Sequence, residues 1–465
     1  MATTIVVGAG PTGLSAALAL ARSGHETTLV EMSDRAGGMA ASIEIEGIRV
    51  DLGSHRLHPV APPRVESLFR ELLDDDLQTR VRHGRLRLGG NWVAFPLRAT
   101  DLLTSLPPAF AGRAILDTLT GPIRKRRIDA PVDGDPDDTF AQVVGTGLGP
   151  TMLDEFYGPY AVKLWGLPAD RLAGELARRR IAASTPGRLV AKVARSLKRE
   201  PMVFRYPRLG YGQVVDRLVD ACDGAGVAIE MPQQVRSIDL SDPAAAVVTL
   251  GDDSVQTVDR VVWTAPLPAL AAAVSGVDAA PPASLRHRAM VLVYLVFDGP
   301  AVTEFDAHYL PGPDELAARI SEPINYRHGP DPDDRTVLCC EVVCDVDDDV
   351  WNAAADDLGR RLADDLARLG VTDRTPSAVR LHRLPHVYPV LTPESLDPIR
   401  RVLDWSQGLD RVTVTGRQGL FVADNLHHVI DMGLEVADCL GHDGSWDSRR
   451  WTSALSRFDG HVVED

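Results

Sequence analysis

A glycine-rich turn near the start of the chain constrains the fold more than any other feature of the sequence. The turn carries Gly8, Gly10 and Gly13, follows a β-branched run at residues 3–7, and opens a helix whose apolar stripe ends at Gly24. In such a GxGxxG pattern the first glycine makes the turn, the second lets the backbone approach a pyrophosphate, and the third permits close helix–strand packing. The positive end of the helix then faces the phosphates. The pattern predicts a dinucleotide-binding α/β fold.

The residues that follow the turn narrow the choice of dinucleotide. A second strand ends in Glu31, which is placed to accept hydrogen bonds from ribose hydroxyls. The pair Gly37 and Gly38 then forms a second loop, which can lay backbone amides against the flavin side of the diphosphate. This opening resembles a large family containing flavin amine oxidases, protoporphyrinogen oxidase, phytoene desaturases and UDP-galactopyranose mutase. The resemblance implies bound FAD, with these ligands in the two loops: Gly8, Gly10, Pro11, Thr12, Gly13, Glu31, Met32, Arg35, Gly37, Gly38 and Met39.

The length of the chain, 465 residues, is too great for one compact core, and its hydrophobic fraction of 45% is that of a globular protein. We predict an α/β fold with a Rossmann-like FAD-binding domain, three-layered and of the glutathione reductase type, with an inserted α+β substrate domain and a helical cap. The predicted bounds are 1–60, 205–275 and 400–445 for the discontinuous FAD-binding domain, 61–204 for the cap, and 276–399 for the substrate-domain sheet.

Alternation and turn residues place the remaining elements. Residues 61–200 are predicted to be mostly helical, apart from a strand pair around 85–95. Strands at 227–230, 234–238, 246–250 and 260–264 are predicted to return the chain to the FAD-binding domain. Further predictions are a hairpin at 42–50, a strand at 337–343, a helix at 353–369, and a strand with a glycine turn at 411–420.

Charge and cysteine content bear on partners and compartment. The net charge of −16 argues against nucleic acid as a partner. Five cysteines without paired spacing suit a reducing cytoplasm, and a first strand at residue 3 predicts no signal peptide. No apolar stretch is long enough to span a bilayer. Since Cys339, Cys340 and Cys344 have no complementary ligand pair, no metal site is predicted.

Two basic segments interrupt this acidic chain. One reading is that they are solvated helix faces. The other is a basic surface that attracts an anionic substrate or anionic lipid headgroups, which leaves peripheral contact with the inner membrane face open. The segments are Arg124-Lys125-Arg126-Arg127 and the group Arg178, Arg179, Arg180, Arg188, Lys192, Arg195, Lys198 and Arg199.

Several later segments look most like UDP-galactopyranose mutase and its relatives. The loop Gly53-x-His55-x-x-His58 resembles one that lies along the flavin ring in the mutases, although two ordinary loop histidines remain an alternative. The resemblance makes His55 a cofactor contact. Together with Arg319, the two histidines are the candidate catalytic residues, and no catalytic base is assigned.

A substrate pocket is implied by three further segments. Tyr160 and Trp165 match a Tyr/Trp pair of the mutase pocket, and Tyr388 matches a pocket tyrosine. Arg319 resembles the arginine that holds the substrate diphosphate, because a guanidinium fork can donate two parallel hydrogen bonds to an anion. Core packing of the aromatic side chains is the alternative, as is pairing of Arg319 with Glu322 or Glu341.

The last resembling segment closes the cofactor site. Gly416 and Arg417 match a Gly-Arg turn beside the flavin or its diphosphate, and Asn425 and Leu426 match backbone groups facing the flavin ring; Val235 is included among the predicted FAD contacts. Two departures put a UDP-sugar substrate in doubt. The stretch PMVFRYPRLGYGQ lacks the expected Asn-rich uridine pattern, and His427 stands where the mutases have an acid.

The resemblance leaves the reaction class open. The first prediction is an FAD-dependent oxidoreductase in which a small anionic, sugar or isoprenoid-type metabolite transfers hydride to flavin N5. The alternative is a non-redox sugar ring mutase that works from reduced FAD. A non-catalytic flavin-binding protein is a third hypothesis. The oligomeric state is not predicted.

Overall fold

The structure is a computed structural model that describes residues 1–95, 106, 109–110, 112–114, 116–117, 138–180 and 202–463. The strands, numbered in chain order, are β1 Thr3–Val7, β2 Glu26–Val30, β3 Ser42–Ile45, β4 Ile48–Asp51, β5 Leu77–Val81, β6 Gly84–Leu88, β7 Asn91–Phe95, β8 Val203–Pro207, β9 Ala228–Glu230, β10 Val235–Asp239, β11 Ala246–Leu250, β12 Val255–Val258, β13 Arg260–Trp263, β14 Val274–Ser275, β15 His287–Asp298, β16 Ala307–Tyr309, β17 Arg319–Ser321, β18 Arg335–Cys344, β19 Ala378–Pro389 and β20 Val412–Val414.

The helices are likewise numbered in chain order. They are α1 Pro11–Arg22, α2 Pro63–Leu73, α3 Phe140–Gly147, α4 Gly158–Trp165, α5 Gly174–Arg180, α6 Gln213–Gly224, α7 Leu267–Ala273, α8 Asp349–Asn352, α9 Ala355–Arg368, α10 Pro393–Gln407, α11 Gly416–Gly419, α12 Leu426–Cys439 and α13 Ser448–Asp459. Short turns lie at Gly38–Ala40, Asp74–Asp76, Pro150–Met152, Leu153–Tyr157 and Pro323–Asn325.

A parallel five-stranded sheet, in the order β20-β13-β1-β2-β9, carries the glycine-rich turn. Ile5 of β1 lies between Val261 of β13 and Thr28 of β2. Helix α1 connects β1 to β2, as a right-handed βαβ unit requires. The mixed α/β fold with a parallel sheet is thereby confirmed.

The two faces of this sheet are covered differently, because successive side chains of a strand point to opposite faces. Val6 packs with Leu14 in a cluster contributed largely by helices α1, α6 and α12. Ile5 and Val7 pack in a second cluster with Val248 of β11. Helices therefore cover one face and strands the other.

The four segments predicted to return the chain to the FAD-binding domain belong to two sheets. β9 and β13 join the parallel sheet, whereas β10 and β11 form a separate sheet in the order β12-β11-β10-β14. This small sheet is antiparallel except for the β10–β14 pair. Sequence alternation shows that one strand face is buried but not which partner buries it, so it does not predict how strands divide between two sheets.

A seven-stranded sheet in the order β19-β15-β18-β17-β16-β6-β7 forms the other large element, and only its β16–β6 pair is parallel. Alternate side chains of β15 pack in two different hydrophobic clusters, one on each face of the sheet. Val291 and Val293 pack beneath α9. Leu292 and Tyr294 face a cluster that includes Trp165 and belongs largely to the helical segment 140–177. The predicted substrate pocket lies on this second face.

The segment predicted as mostly helical contains an additional strand. β5 pairs with β8, so the chain before the helical part is tied to the chain that follows it. The predicted pair around 85–95 is present as β6 and β7. The division of the chain into three domains with the bounds given above stays a prediction.

The expectations about membrane spans and basic segments can be compared with the structure only for the described residues. No helix among the described residues is long and apolar enough to cross a membrane. Residues 124–127, Arg188, Lys192, Arg195, Lys198 and Arg199 lie outside the described part. Within it, Arg178 pairs with Asp138 and Arg179 with Glu175, so these two cations are compensated. All five cysteines are free and buried.

Candidate active site

The two glycine loops lie against each other. Gly8 adopts a left-handed φ of +100°, and a Cβ atom there would lie 2.7 Å from Thr264 Oγ1. The N–H of Gly37 donates to the carbonyl of Ala9 at 2.7 Å. A Cβ built on Gly38 would lie 3.8 Å from the Cα of Gly10. The second loop is therefore fixed against the first at the N-terminus of α1.

Gly10 and Gly13 have different surroundings. A Cβ on Gly13 would lie 1.9 Å from the carbonyl oxygen of Gly8, so this glycine is required by packing of the helix on the turn. A Cβ on Gly10 would meet nothing within 4 Å. Gly10 caps α1 without a side-chain hydrogen bond, and Pro11 begins the helix. Open space thus lies beside the positive end of a helix, as a bound pyrophosphate needs.

The end of β2 lies beside the first glycine turn, where the adenosine part of FAD would bind. Glu31 accepts the N–H of Ala9 at 2.8 Å and that of Ser33 at 2.9 Å, which holds the carboxylate at the first turn. Met32 follows with 75% of its surface exposed, which leaves an apolar side chain for an adenine ring to cover. The carbonyl of Glu31 accepts the N–H of Gln233 at 2.7 Å, which brings the start of β10 and Val235 alongside. Arg35 is exposed and Met39 is partly buried.

The C-terminal part of the chain closes the same cradle. A Cβ on Gly416 would lie 2.7 Å from Thr12 Oγ1, so the Gly-Arg turn contacts the start of α1. Arg417 donates to the carbonyls of Val387 at 2.7 Å and Asp424 at 3.4 Å. Its Nε is buried without a partner. Burial, together with the positive charge of Arg180, lowers the pKa of Arg417.

The N-terminus of α12 follows directly. Leu426 is its first residue, and the Asn425 side chain makes no capping hydrogen bond to it. The helix packs closely on α1, since a Cβ on Gly433 would lie 2.1 Å from Ser15 Oγ. The first turn of α1 therefore packs on the middle of α12. The positive end of either helix, if it faces the bound flavin, would favour the anionic reduced form.

His55 lies near both Arg319 and Arg417. Its ring stacks on Tyr211, with centroids 4.7 Å apart. Its Nδ1 lies 3.1 Å from the carbonyl oxygen of Gly53, which only accepts, so Nδ1 carries the proton and Nε2 is left as an acceptor. Burial lowers the pKa of His55, and Arg319 and Arg417 lower it further against the opposing effect of Asp51. The ring is therefore neutral at physiological pH.

Arg319 is paired internally. Its Nε donates to Glu341 Oε1 at 2.9 Å and its Nη2 to Oε2 at 2.8 Å. Burial alone would lower the pKa of Arg319, but Glu341 and the phenols of Tyr309, Tyr388 and Tyr160 raise it well above its ordinary value. Glu341 also accepts the N–H of Ser54 at 2.7 Å. Of the two pairings considered from the sequence, the structure contains the one with Glu341, and this pair fixes the loop that carries His55.

Because Arg319 is paired with Glu341, its charge is compensated. Arg180 is a second cation beside the predicted pocket residues. Its guanidinium lies 4.8 Å from the ring centre of Tyr388 and 5.4 Å from that of Trp165. It makes no ion pair with the described residues, and its Nε is buried without a partner. Trp165 also packs on Phe140, so core packing and a place at the pocket wall both apply to it.

Two neighbouring residues have other surroundings. Lys163, between Tyr160 and Trp165 in the chain, donates to the carbonyls of Leu310 at 2.8 Å and Ala317 at 3.1 Å, and burial lowers its pKa to about 8. His58, with His427, lines an open cleft of about 810 Å³ beside α12. Of the two histidines in the GxHxxH loop, His55 therefore lies near Arg319 and Arg417, and His58 lies in this cleft.

Sequence reasoning treated Arg180 only as part of a basic segment and did not place it in the pocket. Its pocket neighbours are Trp165 of the preceding α4 and Tyr388 of β19, a strand far away in the chain. Asp51 was also missed: it is buried, accepts the N–H of Tyr211 at 2.9 Å, and thereby supports the ring on which His55 stacks. No local pattern distinguishes either residue from an ordinary surface arginine or strand-end aspartate.

Known proteins share this fold. The sequence model of the flavin-containing amine oxidoreductases matches residues 11–435. The L-amino-acid oxidases of Notechis scutatus scutatus and Bothrops jararacussu are 53% and 49% identical over 71 residues, which is 15% of this chain and 13% of each relative. A reduced UDP-galactopyranose mutase superposes with a TM-score of 0.78 at 18% identity, covering 100% of both chains. A putrescine oxidase bound to putrescine gives 0.64 at 18% identity, covering 94% of this chain and 98% of that one.

These matches differ in what they establish. The aligned segment spans 13% of the length of the two curated relatives, and the solved structures show the shared fold alone. The family match extends over most of the chain and identifies FAD as the cofactor. The open space at Gly10, the uncapped helix and the exposed Met32 fit that cofactor.

Proposed function

The chain belongs to the flavin-containing amine oxidoreductases, and on that premise we propose that it is an FAD-dependent oxidoreductase acting on a small anionic metabolite. The observation that carries the proposal is the pair Arg180 and Arg417. Burial and the charge of Arg180 lower the pKa of Arg417, and neither guanidinium forms an ion pair with a carboxylate of the described residues.

Two enclosed like charges are unfavourable without an anion. Removing one unpaired ion from water costs several kcal/mol in a protein interior, and a second cation nearby adds repulsion. A carboxylate or phosphate of a substrate would offset both costs, and guanidinium groups suit either because they donate parallel hydrogen bonds. The wall of Tyr160, Trp165 and Tyr388 would then restrict the remainder of the substrate to a flat or slender group.

His55 would act beside this anion site. It is neutral, its Nδ1–H is held by Gly53, and its Nε2 accepts, which is the arrangement required of a base or of a hydrogen-bond acceptor for a substrate hydroxyl or amine. Arg319 would position the His55 loop through Glu341 and Ser54. Bound FAD supplies the electron chemistry, as a hydride acceptor or, when reduced, as a nucleophile.

A second candidate is a non-redox sugar ring mutase. It is favoured by the superposition on reduced UDP-galactopyranose mutase over the whole of both chains. The cation pair would then hold the departing diphosphate instead of a substrate carboxylate. The oxidoreductase is placed first because the family as a whole is named for that reaction and because His427 departs from the acid expected in a mutase.

Anaerobic titration of the FAD-loaded protein separates the two reactions. With amino acids, amines, nucleotide sugars and isoprenoid-linked sugar phosphates as candidates, we expect one class to bleach oxidised FAD, with one flavin reduced per substrate consumed. Many turnovers by pre-reduced protein without an acceptor, giving a product of unchanged mass, would contradict this expectation and establish the mutase reaction.

The anion site has its own test. Arg180→Gln should weaken binding of inorganic pyrophosphate or UDP, followed by the flavin absorbance spectrum, by roughly 10- to 100-fold, because one charge-assisted hydrogen bond contributes about 1.5–3 kcal/mol. FAD content should be unchanged. Arg171→Gln, at an exposed arginine before α5, is the matched control. Equal affinity of the Arg180 variant and wild type would remove Arg180 from the proposed site.

A further inference from the structure

Three side chains from two separated segments meet at the N-terminus of α12. Asp424 precedes the helix, and its side chain is fully buried. His428 lies one turn into the helix, with its Nδ1 3.1 Å from Asp424 Oδ1. His461 lies in the tail after α13, with its Nδ1 3.3 Å from Asp424 Oδ2. The two imidazole rings stack with centroids 4.0 Å apart, so both present the same edge to one carboxylate.

We propose that Asp424, His428 and His461 form a binding site for a divalent transition metal, with Zn²⁺ the best fit, which fastens the C-terminal tail to the start of α12. The site adjoins the FAD cradle, because the carbonyl of Asp424 accepts a hydrogen bond from Arg417, but it does not depend on the proposed reaction. It was not predicted from the sequence, where only the cysteines were considered as ligands.

The spacing of the donor atoms suits such an ion. A tetrahedral ion with bonds of about 2.0–2.2 Å separates neighbouring ligand atoms by roughly 3.3–3.6 Å. The two nitrogen–oxygen distances of 3.1 and 3.3 Å, one to each oxygen of Asp424, are close to that edge length. One ligand atom from each of the three residues lies within 4.8 Å of the others. Coordination needs both Nδ1 atoms to be deprotonated and directed at the ion.

The donor set selects the class of metal. Two imidazoles and one carboxylate suit Zn²⁺, Co²⁺, Ni²⁺ or Cu²⁺, whereas Mg²⁺ and Ca²⁺ prefer oxygen ligands only. Three protein ligands leave one tetrahedral position for water or an exchangeable group. Because His461 belongs to the tail, occupancy would join that tail to α12.

The surroundings provide access without competing carboxylates. His428 and His461 line the open cleft of about 810 Å³ described above, so an ion can reach them from solvent. Asp431 and Glu435, on the same face of α12, are each bound by Arg64 and are therefore already neutralised. His427 is the nearest other ring, with its centroid 4.0 Å from that of His428.

The tail continues from this site toward the substrate side. The N–H of Val463 donates to the carbonyl of Arg179 at 2.7 Å, one residue before Arg180. A metal bound at His461 would therefore order a segment that reaches the end of α5.

Isothermal titration of the chelator-treated, FAD-loaded protein with ZnCl₂ tests the site, with bound zinc counted by mass spectrometry. We expect one Zn²⁺ per chain at micromolar or tighter affinity, and at least a tenfold loss of affinity in His428→Ala and in His461→Ala. His461→Ala lies in the tail and leaves the core intact. His442→Ala, at an exposed histidine outside the cluster, should bind zinc as wild type does.

Hydrogen exchange supplies a second readout, since Zn²⁺ should slow exchange at residues 460–463 in wild type but not in His461→Ala. The proposal is overturned if wild type binds no zinc, which would leave Asp424 as a hydrogen-bond acceptor for two imidazoles. It is also overturned if His427→Ala and His58→Ala abolish binding while His428→Ala and His461→Ala do not.

Discussion

Gly10→Val is expected to give a folded protein that binds FAD more weakly. The φ of Gly10 is −72°, which a valine adopts without strain, and a Cβ there meets nothing within 4 Å of protein. The added side chain would instead occupy the space of the pyrophosphate. We expect affinity for FAD to fall by roughly 5- to 140-fold, since overpacking costs about 1–3 kcal/mol and each 1.4 kcal/mol is a factor of ten. Flavin absorbance after purification and titration of the apoprotein with FAD measure the loss.

Two other glycines act as controls for this substitution. Gly224→Val, at the exposed end of α6, also has open space around the new side chain and should retain FAD. Gly13→Ala should lose both FAD and stability, because its Cβ would overlap the carbonyl of Gly8. Full FAD content in Gly10→Val would show that the cofactor does not pass this glycine.

Glu341→Gln is expected to cause the largest loss of stability among single substitutions in the pocket. The substitution leaves Arg319 without its counter-charge, and only 15% of that side chain is exposed. Breaking an enclosed pair from one side costs about 3–5 kcal/mol. The free energy of unfolding, from urea denaturation followed by circular dichroism, should fall by about that amount.

Paired substitutions test whether the loss of stability comes from the unpaired charge of Arg319 or from any change at Glu341. Arg319→Met combined with Glu341→Leu should recover much of the lost stability, because it removes both charges. Glu71→Gln breaks a pair with Arg22 in which both side chains are about half exposed, and it should cost less than about 1 kcal/mol. A similarly small loss for Glu341→Gln would mean that Arg319 is solvated within the pocket.

Local patterns predicted the cofactor cradle well. The spacing of Gly8, Gly10 and Gly13 determines the geometry of the turn, because the strand, turn and helix are adjacent in the chain. The parallel sheet followed from that unit and was confirmed. The roles of individual residues in binding FAD stay predictions, although the structure brings the two glycine loops, Glu31, Gly416 and Arg417 together.

The pocket could not be derived in the same way. Glu322 and Glu341 were equal partners for Arg319 in the sequence, and strand register decided between them. Arg319 of β17 lies directly opposite Glu341 of β18, which favours a cross-strand pair. Glu322 instead accepts the N–H groups of Val302 and Thr303. Register depends on the whole sheet, so no local rule distinguishes the two glutamates.

The sequence also does not show which arginines are paired with carboxylates. Arg180 ends a run of three arginines. The first two pair with Asp138 and Glu175, and the third pairs with no carboxylate in the part of the chain that the structure describes. The distinction depends on which side of α5 faces Tyr388, from a strand more than two hundred residues later. The cluster of Asp424, His428 and His461 was missed for the same reason.

The order of strands in the parallel sheet has a consequence for how the protein is made in the cell. β1 and β2 leave the ribosome first, but β13 and β20 on one side of them are synthesised much later, and β20 is followed directly by the Gly-Arg turn. The nascent chain therefore carries an unfinished sheet edge for most of its synthesis, and its contacts form over long sequence separations. If Gly416, Arg417, Asn425 and Leu426 contact FAD as predicted, the cofactor would be enclosed only after nearly the whole chain has been translated.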